Sequence, residues 1–164
     1  MDRASLYDDD IVTWSEEQAA AVRALGARPD LSNALDWENV AEEIESLGRS
    51  HIQAVESLLL QVMTHLIKRV SAPGSPSIRH WRAEILTFQT SALGHFSRSM
   101  RQRIDLDKMW STAIRIAGAE LIAYGNALLP NLPSRCPLRL DDLVADPFEV
   151  DAVLQTIAEA TITR

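Results

Sequence analysis

Two glutamates and two histidines supply the residue types that general acid–base catalysis uses. Glu43, His51 and His65 fall on one long helical segment, and Glu120 flanks the apolar face of a later one. A carboxylate and an imidazole within hydrogen-bond reach of a substrate can exchange a proton with it. Along a straight helix, however, Glu43 and His65 are about 33 Å apart, and the two histidines about 21 Å. These separations disfavour a hydrolytic Glu/His enzyme, which is kept as an alternative. The favoured interpretation is that the histidines are hydrogen-bonded core residues and that Glu120 forms an ion pair.

A second candidate site is the group of basic side chains on either side of the sequence SAPGSPS, at residues 71–77. Its members are Lys68, Arg69, Arg79 and Arg82, with Ser77 at the predicted start of the next helix. A helix amino terminus beside guanidinium groups can bind an anion. The structural alternative, which we favour, is that these cations interact with their own helix end and with acidic side chains elsewhere.

Neither a metal nor a cofactor is predicted. The acidic stretch at residues 35–50, LDWENVAEEIESLGRS, places its carboxylates on different sides of one helix. A metal needs several donors that converge on one point, and no histidine or cysteine pair at ligand spacing accompanies them. No glycine-rich phosphate-binding motif is present. Cys136 follows Arg135, which could lower the pKa of its thiol, but a structural cysteine is the favoured interpretation.

The charge distribution argues against general nucleic-acid binding. The net charge is -7, and residues 1–67 carry 13 acidic and 4 basic side chains. Residues 68–103 carry 7 basic side chains and 1 acidic one, so we expect this middle segment to pair with acidic neighbours. No apolar run approaches the ~18 residues of a membrane span. The acidic start and the single cysteine favour a protein of the cytoplasm.

Apolar residues recur at intervals of three and four throughout the chain, and no alternating strand pattern is found. The sequence predicts one all-α domain over residues 1–164, a bundle of four to five helices. Residues 1–14 are predicted to form an acidic arm, residues 129–147 an irregular connection and residues 148–164 the last helix. The first helix is expected to open at Ser15, with Gln18 completing a capping box.

The longest predicted helix runs from Trp37, with Asp36 as its N-cap, to about Val70. Its apolar stripe is centred on Ile44 and comprises Trp37, Val40, Leu47, Val55, Leu58, Val62 and Leu66. Two further helices are predicted over about 77–104 and 106–128. A straight helix of ~50 Å exceeds what a compact domain of this size covers. We therefore expect either a kink near Gly48 or self-association as a homodimer.

Five stretches of the chain, in order, resemble the bacterial domain-of-unknown-function family number twenty-nine. They are YDDDIVTW, LDWENVAEEIESLGRS, LLLQVMTHLIKRV, HWRAEI and SRCPLRLDDLVADPF, from about Tyr7 to Phe148. The resemblance implies a small all-helical cytosolic protein with no established activity. The positions it implies as recurring are Trp14, Asp36, Glu42, Glu43, Leu47, Gly48, His65, Lys68, Trp81, Arg82, Cys136 and Pro137.

The sequence therefore favours a cytoplasmic protein-interaction or scaffold module that acts without a cofactor. Its expected partners are a second protein and a second copy of the chain. An anion or nucleic-acid binder at the basic junction and a Glu/His hydrolase are the two alternatives.

Overall fold

The computed structural model describes residues 3–31 and 33–162, and every regular element within them is helical. The α-helices are α1 (Arg3–Asp9), α2 (Ile11–Gly26), α3 (Trp37–Ser71), α4 (Ile78–His95), α5 (Leu106–Ala123), α6 (Leu140–Leu143) and α7 (Val150–Ala160). A 3₁₀ helix (Arg98–Gln102) joins α4 to α5. The predicted all-α class is confirmed.

The predicted count of four to five helices matches the long helices α2, α3, α4, α5 and α7 and misses two short ones. The short helix α1 lies in the predicted acidic arm, so the described part of that arm is largely helical. The other, α6, is a single turn inside the predicted irregular connection. Residues 1, 2, 163 and 164 of the predicted arm and last helix lie outside the described residues.

The chain divides into two compact units. Unit 1 comprises residues 1–54 and 95–104, and unit 2 comprises residues 55–94 and 105–164. The first half of α3 therefore belongs to unit 1 and its second half to unit 2.

Helix α3 begins where the sequence predicts. The Asp36 carboxylate accepts a hydrogen bond from the backbone N–H of Asn39 at 3.2 Å, as an N-cap does. The helical backbone continues through residues 48–50, so the helix has no break there. Of the predicted stripe, Val55, Val62 and Leu66 are fully buried. In unit 1 the stripe is less well covered, and Leu47 is 37% exposed.

The predicted start of the first helix is wrong. Helix α2 begins four residues before Ser15, and its N-cap is Asp10, whose carboxylate accepts the N–H of Thr13 at 3.1 Å. The same carboxylate accepts the hydroxyl of Ser99 at 2.7 Å and that of Ser97 at 3.1 Å. Asp10 therefore ties the start of α2 to the 3₁₀ helix region, a contact that a local capping motif does not reveal.

Two predicted helix ends also differ. Helix α4 stops at His95, and the last residues of the predicted segment form the 3₁₀ helix. Helix α5 ends at Ala123, because the chain turns at Gly125, whose φ of 73° suits a glycine. Tyr124, which lies inside the predicted helix, follows the end of α5 and is exposed.

The two buried tryptophans of the core both lie in unit 2. Trp110 is fully buried, and its indole N–H donates to the carbonyl of Pro133 at 2.8 Å. Trp81 packs with Ala72 and Leu121. Trp37, which belongs to the predicted stripe of α3, is only half-buried.

Candidate functional site

The antiparallel pair α2 and α3 builds an open apolar surface in unit 1. Ser15 of α2 meets Gly48 of α3, and eleven residues further on Gly26 meets Trp37. A Cβ at Gly48 would collide with the Ser15 hydroxyl oxygen, so the glycine permits the close approach of the two helices. The Ser15 hydroxyl is buried and donates to the carbonyl of Val12 at 2.8 Å.

Arg23 of α2 forms ion pairs with α3 at the other end of the α2–α3 pair. Its guanidinium donates to Glu38 at 2.9 Å and to Glu45 at 2.8 Å. These hydrogen bonds lower the pKa of Glu45 and raise that of Arg23. Of the acidic stretch singled out in the sequence, Glu38 and Glu45 therefore join two helices rather than forming a carboxylate site.

Between α2 and α3 lies an apolar groove of about 550 Å³. This groove, called the groove below, is defined by the residues that line it, which are Trp14, Asp36, Asn39, Val40, Glu43, Ile44 and Leu47. Tyr7 of α1 extends the aromatic surface, because its ring meets Trp14 edge-on with centroids 4.8 Å apart and is half exposed. Four of the positions implied by the family resemblance thus share one surface: Trp14, Asp36, Glu43 and Leu47.

The candidate acid Glu43 is exposed at this groove and makes no hydrogen bond or ion pair with another described residue. The other candidate acid, Glu120, is bound to Lys68 of unit 2 at 2.5 Å. The Lys68 side chain is only 8% exposed, and its ammonium also lies 5.3 Å from the ring centroid of Trp81. Glu120 therefore compensates a buried cation.

The two candidate histidines lie in different units. His65 is buried, its Nδ1 is 2.8 Å from the carbonyl of Gln61, and its ring packs against Phe88. Burial lowers the pKa of His65, which favours the neutral imidazole. His51 is half-buried and faces His95, with ring centroids 5.9 Å apart. Glu43, the candidate acid for His65, belongs to unit 1, whereas His65 belongs to unit 2.

The basic junction is largely neutralised within unit 2. Arg82 makes a two-pronged contact with Asp151 at 2.8 and 3.2 Å, which lowers the pKa of Asp151. Lys68 is held by Glu120, as described above. Arg69 has a buried Nε without a hydrogen-bond partner among the described residues. Arg79 is exposed at the surface of α4.

Ser77 is the remaining residue of the predicted anion site at this junction. Ser77 immediately precedes α4, and its carbonyl accepts the backbone N–H of Trp81 at 2.9 Å. The groove and two further cavities, of about 460 and 240 Å³, are lined by described residues other than these junction residues.

The environment of Cys136 does not fit the alternative of a reactive thiol activated by Arg135. Arg135 does not lower its thiol pKa, since Arg135 donates to the carboxylate of Asp107 at 3.2 Å. Burial raises the pKa of the Cys136 thiol to about 11, and the nearby Asp107 adds to this increase. At neutral pH the sulfur is a protonated thiol in a half-buried position, which is not the form of a nucleophile.

Within residues 3–31 and 33–162, no group of three or more histidine, cysteine, aspartate or glutamate side chains is arranged to hold a metal ion. No helix in that part of the chain is both long enough and apolar enough to cross a membrane.

The groove itself was missed at the level of sequence. The helical spacing assigned Val40, Ile44 and Leu47 to the buried stripe, and only the fold shows that this part of the stripe lacks a covering element. One local signal was available: Glu43 lies beside an apolar stripe with no basic residue three or four positions away.

The helices and the groove define an all-α protein with an open apolar surface. Residues 6–149 match the family model for Domain of unknown function DUF29, and the chain belongs to this family. A crystal structure of an alpha-helical protein of unknown function from Rhodospirillum rubrum is similar, with a TM-score of 0.86 and 35% sequence identity. That match covers 91% of this chain and 95% of the other. The curated proteins contain no match.

Proposed function

We propose that this protein is a cytoplasmic interaction module whose groove binds an apolar helical segment of a partner protein. The observation that supports the proposal is the uncovered part of the α3 stripe. An apolar surface rimmed by polar side chains is typical of protein–protein contact sites. Grooves between helices commonly receive the apolar face of another helix.

The dimensions of the groove fit such a helix. Its apolar α3 residues are Val40, Ile44 and Leu47, which follow one another at intervals of four and three. From Asp36 to Leu47 the axis of α3 advances about 16 Å, or roughly three helical turns. A partner helix of that length presents apolar side chains at the same spacing.

The other two functions have less support from the geometry. At the basic junction, Arg82 and Lys68 already form ion pairs with carboxylates of the same chain. Less positive charge is therefore available there to bind an anion. Glu43 has no histidine beside it, and Glu120 is engaged by Lys68.

The proposal is tested with a hydrocarbon-stapled helical peptide of about 14 residues that carries leucines on one face and glutamines elsewhere. We expect saturable binding in isothermal titration calorimetry. Leu47→Asp should weaken this binding at least about tenfold, because it places a carboxylate inside the apolar contact.

Leu86→Asp is the matched control, since Leu86 is an exposed leucine of unit 2 with 41% exposure against 37% for Leu47. The affinity of the Leu86→Asp protein for the peptide should stay within about twofold of the wild-type affinity. Equal binding by wild type and Leu47→Asp, or no binding by either, contradicts the proposal. Sedimentation of the free protein tests the homodimer predicted from the length of α3.

A further inference from the structure

The polar part of the groove carries only negative charge. Among the side chains that the structure describes, Asp36 and Glu43 line it and no basic one does. The Asp36 carboxylate accepts two hydrogen bonds from Asn39. One comes from the backbone N–H at 3.2 Å, and the other comes from the side-chain Nδ2 at 2.6 Å. Glu43 has no ion pair with another described residue. Both carboxylates therefore lack a compensating cation at the groove.

The neighbouring acids of α3 contrast with these two. Glu38 and Glu45 pair with Arg23, and Glu42 pairs with Arg49 at 2.5 Å. The arginines of unit 1 thus compensate the carboxylates beside the groove and leave those within it unpaired. The carboxylates of this face of α3 that have no ion pair with a described residue therefore lie at the apolar surface.

We infer that the partner segment is a basic amphipathic helix, an inference that rests on the proposed function of the groove. Leucine-like side chains of the helix contact Val40, Ile44 and Leu47. Lysines or arginines that flank this apolar face reach Asp36 and Glu43. Opposite charges at the rim accelerate the encounter and exclude acidic partners.

The same charges argue against two other occupants. Two copies of the chain that docked groove to groove would bring four unpaired carboxylates together, and like charges oppose such contact. An anionic lipid surface would likewise repel Asp36 and Glu43. A basic helix from a different protein satisfies both the apolar and the charged part of the surface.

The experiment compares three stapled peptides with one leucine face and with lysine, glutamine or glutamate at the remaining positions. We expect affinity to decrease in the order lysine, glutamine, glutamate, with about a tenfold difference between the first and the last at low salt. This difference should shrink in about 0.5 M NaCl, because salt screens charges at a surface.

Glu43→Gln should reduce the preference for the lysine peptide and leave the affinity for the glutamine peptide unchanged. Glu43→Lys should abolish the preference, because the new ammonium offsets the charge of Asp36. Glu149→Lys makes the same charge change at an exposed glutamate of unit 2 and should preserve the order.

Each outcome separates the inference from the proposed function. Equal binding of all three peptides by wild type, or an order that is undiminished in Glu43→Lys, overturns the basic partner and leaves the groove function standing. Failure of the glutamine peptide to bind overturns the groove function itself. Self-association at micromolar concentration that Leu47→Asp abolishes, or binding to vesicles of anionic lipid, also overturns the basic partner.

Discussion

Glu120 of unit 2 and Glu43 of unit 1 are the same residue type on the flank of an apolar helix face, and their surroundings differ. Glu120 is 2.5 Å from the ammonium of Lys68, a side chain that is almost fully buried. Glu43 lies beside exposed Leu47 and has no ion-pair partner among the described residues. In the first environment the charge is already neutralised within the fold, and in the second it is available to another molecule.

The apolar residues of the two units differ in the same way. In unit 2 the stripe of α3 is covered, and Val62 and Leu66 are fully buried. In unit 1 the same stripe emerges at Leu47. Compensated charge and covered apolar surface stabilise a fold, whereas uncompensated charge beside uncovered apolar surface indicates where a partner binds.

The largest effect we expect is on stability when Glu120 is replaced. Glu120→Ala leaves the buried ammonium of Lys68 without its carboxylate, and should lower the free energy of unfolding by about 2–3 kcal/mol. This estimate is at the low end because Glu120 is partly exposed. Urea unfolding followed by circular dichroism provides the measurement.

Glu43→Ala is the control for this comparison, and should change the free energy of unfolding by less than about 0.5 kcal/mol. Equal losses in the two variants would show that Glu43 also has a structural role, and would remove the distinction between the two glutamates.

An intermediate effect is expected where α2 and α3 approach most closely. Gly48→Ala gains about 1 kcal/mol in helix propensity. The new methyl group, however, displaces the Ser15 hydroxyl from its bond to Val12, so we expect a net loss of about 1 kcal/mol. Thermal and urea unfolding of the single and double variants measure the coupling.

In a Ser15→Ala background the obstacle is absent, and Gly48→Ala should become stabilising by a similar amount. An identical effect of Gly48→Ala in both backgrounds would mean that the two helices do not approach each other at this point.

The smallest effect concerns pH. Burial lowers the folded-state pKa of His65 below its ordinary value of 6.5, so the unfolded chain binds this proton more readily. The contribution to stability is complete above pH 6.5 and decreases as the pH falls below it. Between about pH 7.5 and 5.5, wild type should therefore lose more stability than His65→Gln.

His80→Gln removes an exposed histidine of unit 2 and serves as the matched variant. The pH dependence of its urea midpoint should follow that of wild type. A His65→Gln protein with an unchanged pH dependence would contradict the burial of a neutral imidazole at this position.

The fold could be predicted largely because helices leave local signals. The three-and-four spacing around Ile44 and Val62 identified α3, and Asp36 marked its start. Ser15 was misread because its capping pattern is local, whereas the true cap, Asp10, is fixed by Ser97 and Ser99 from a distant part of the chain.

The candidate site could be predicted only in part. A helical wheel gives the direction of each side chain and does not say how far a neighbouring element extends. It therefore placed Leu47 with Leu66 in one buried stripe, although only Leu66 is covered. The pairing of Lys68 with Glu120 across 52 residues is likewise set by packing, and no local spacing identifies such a partner.

Binding of a basic helix in the groove is tested most directly by an NMR titration of the indole N–H signals with the stapled lysine peptide. We expect a saturable shift for Trp14, which lines the groove, and little change for Trp110, whose indole is buried against Pro133. Leu47→Asp should abolish the Trp14 shift. A shift confined to Trp110 or Trp81, or a Trp14 signal that does not move at saturating peptide, would contradict it.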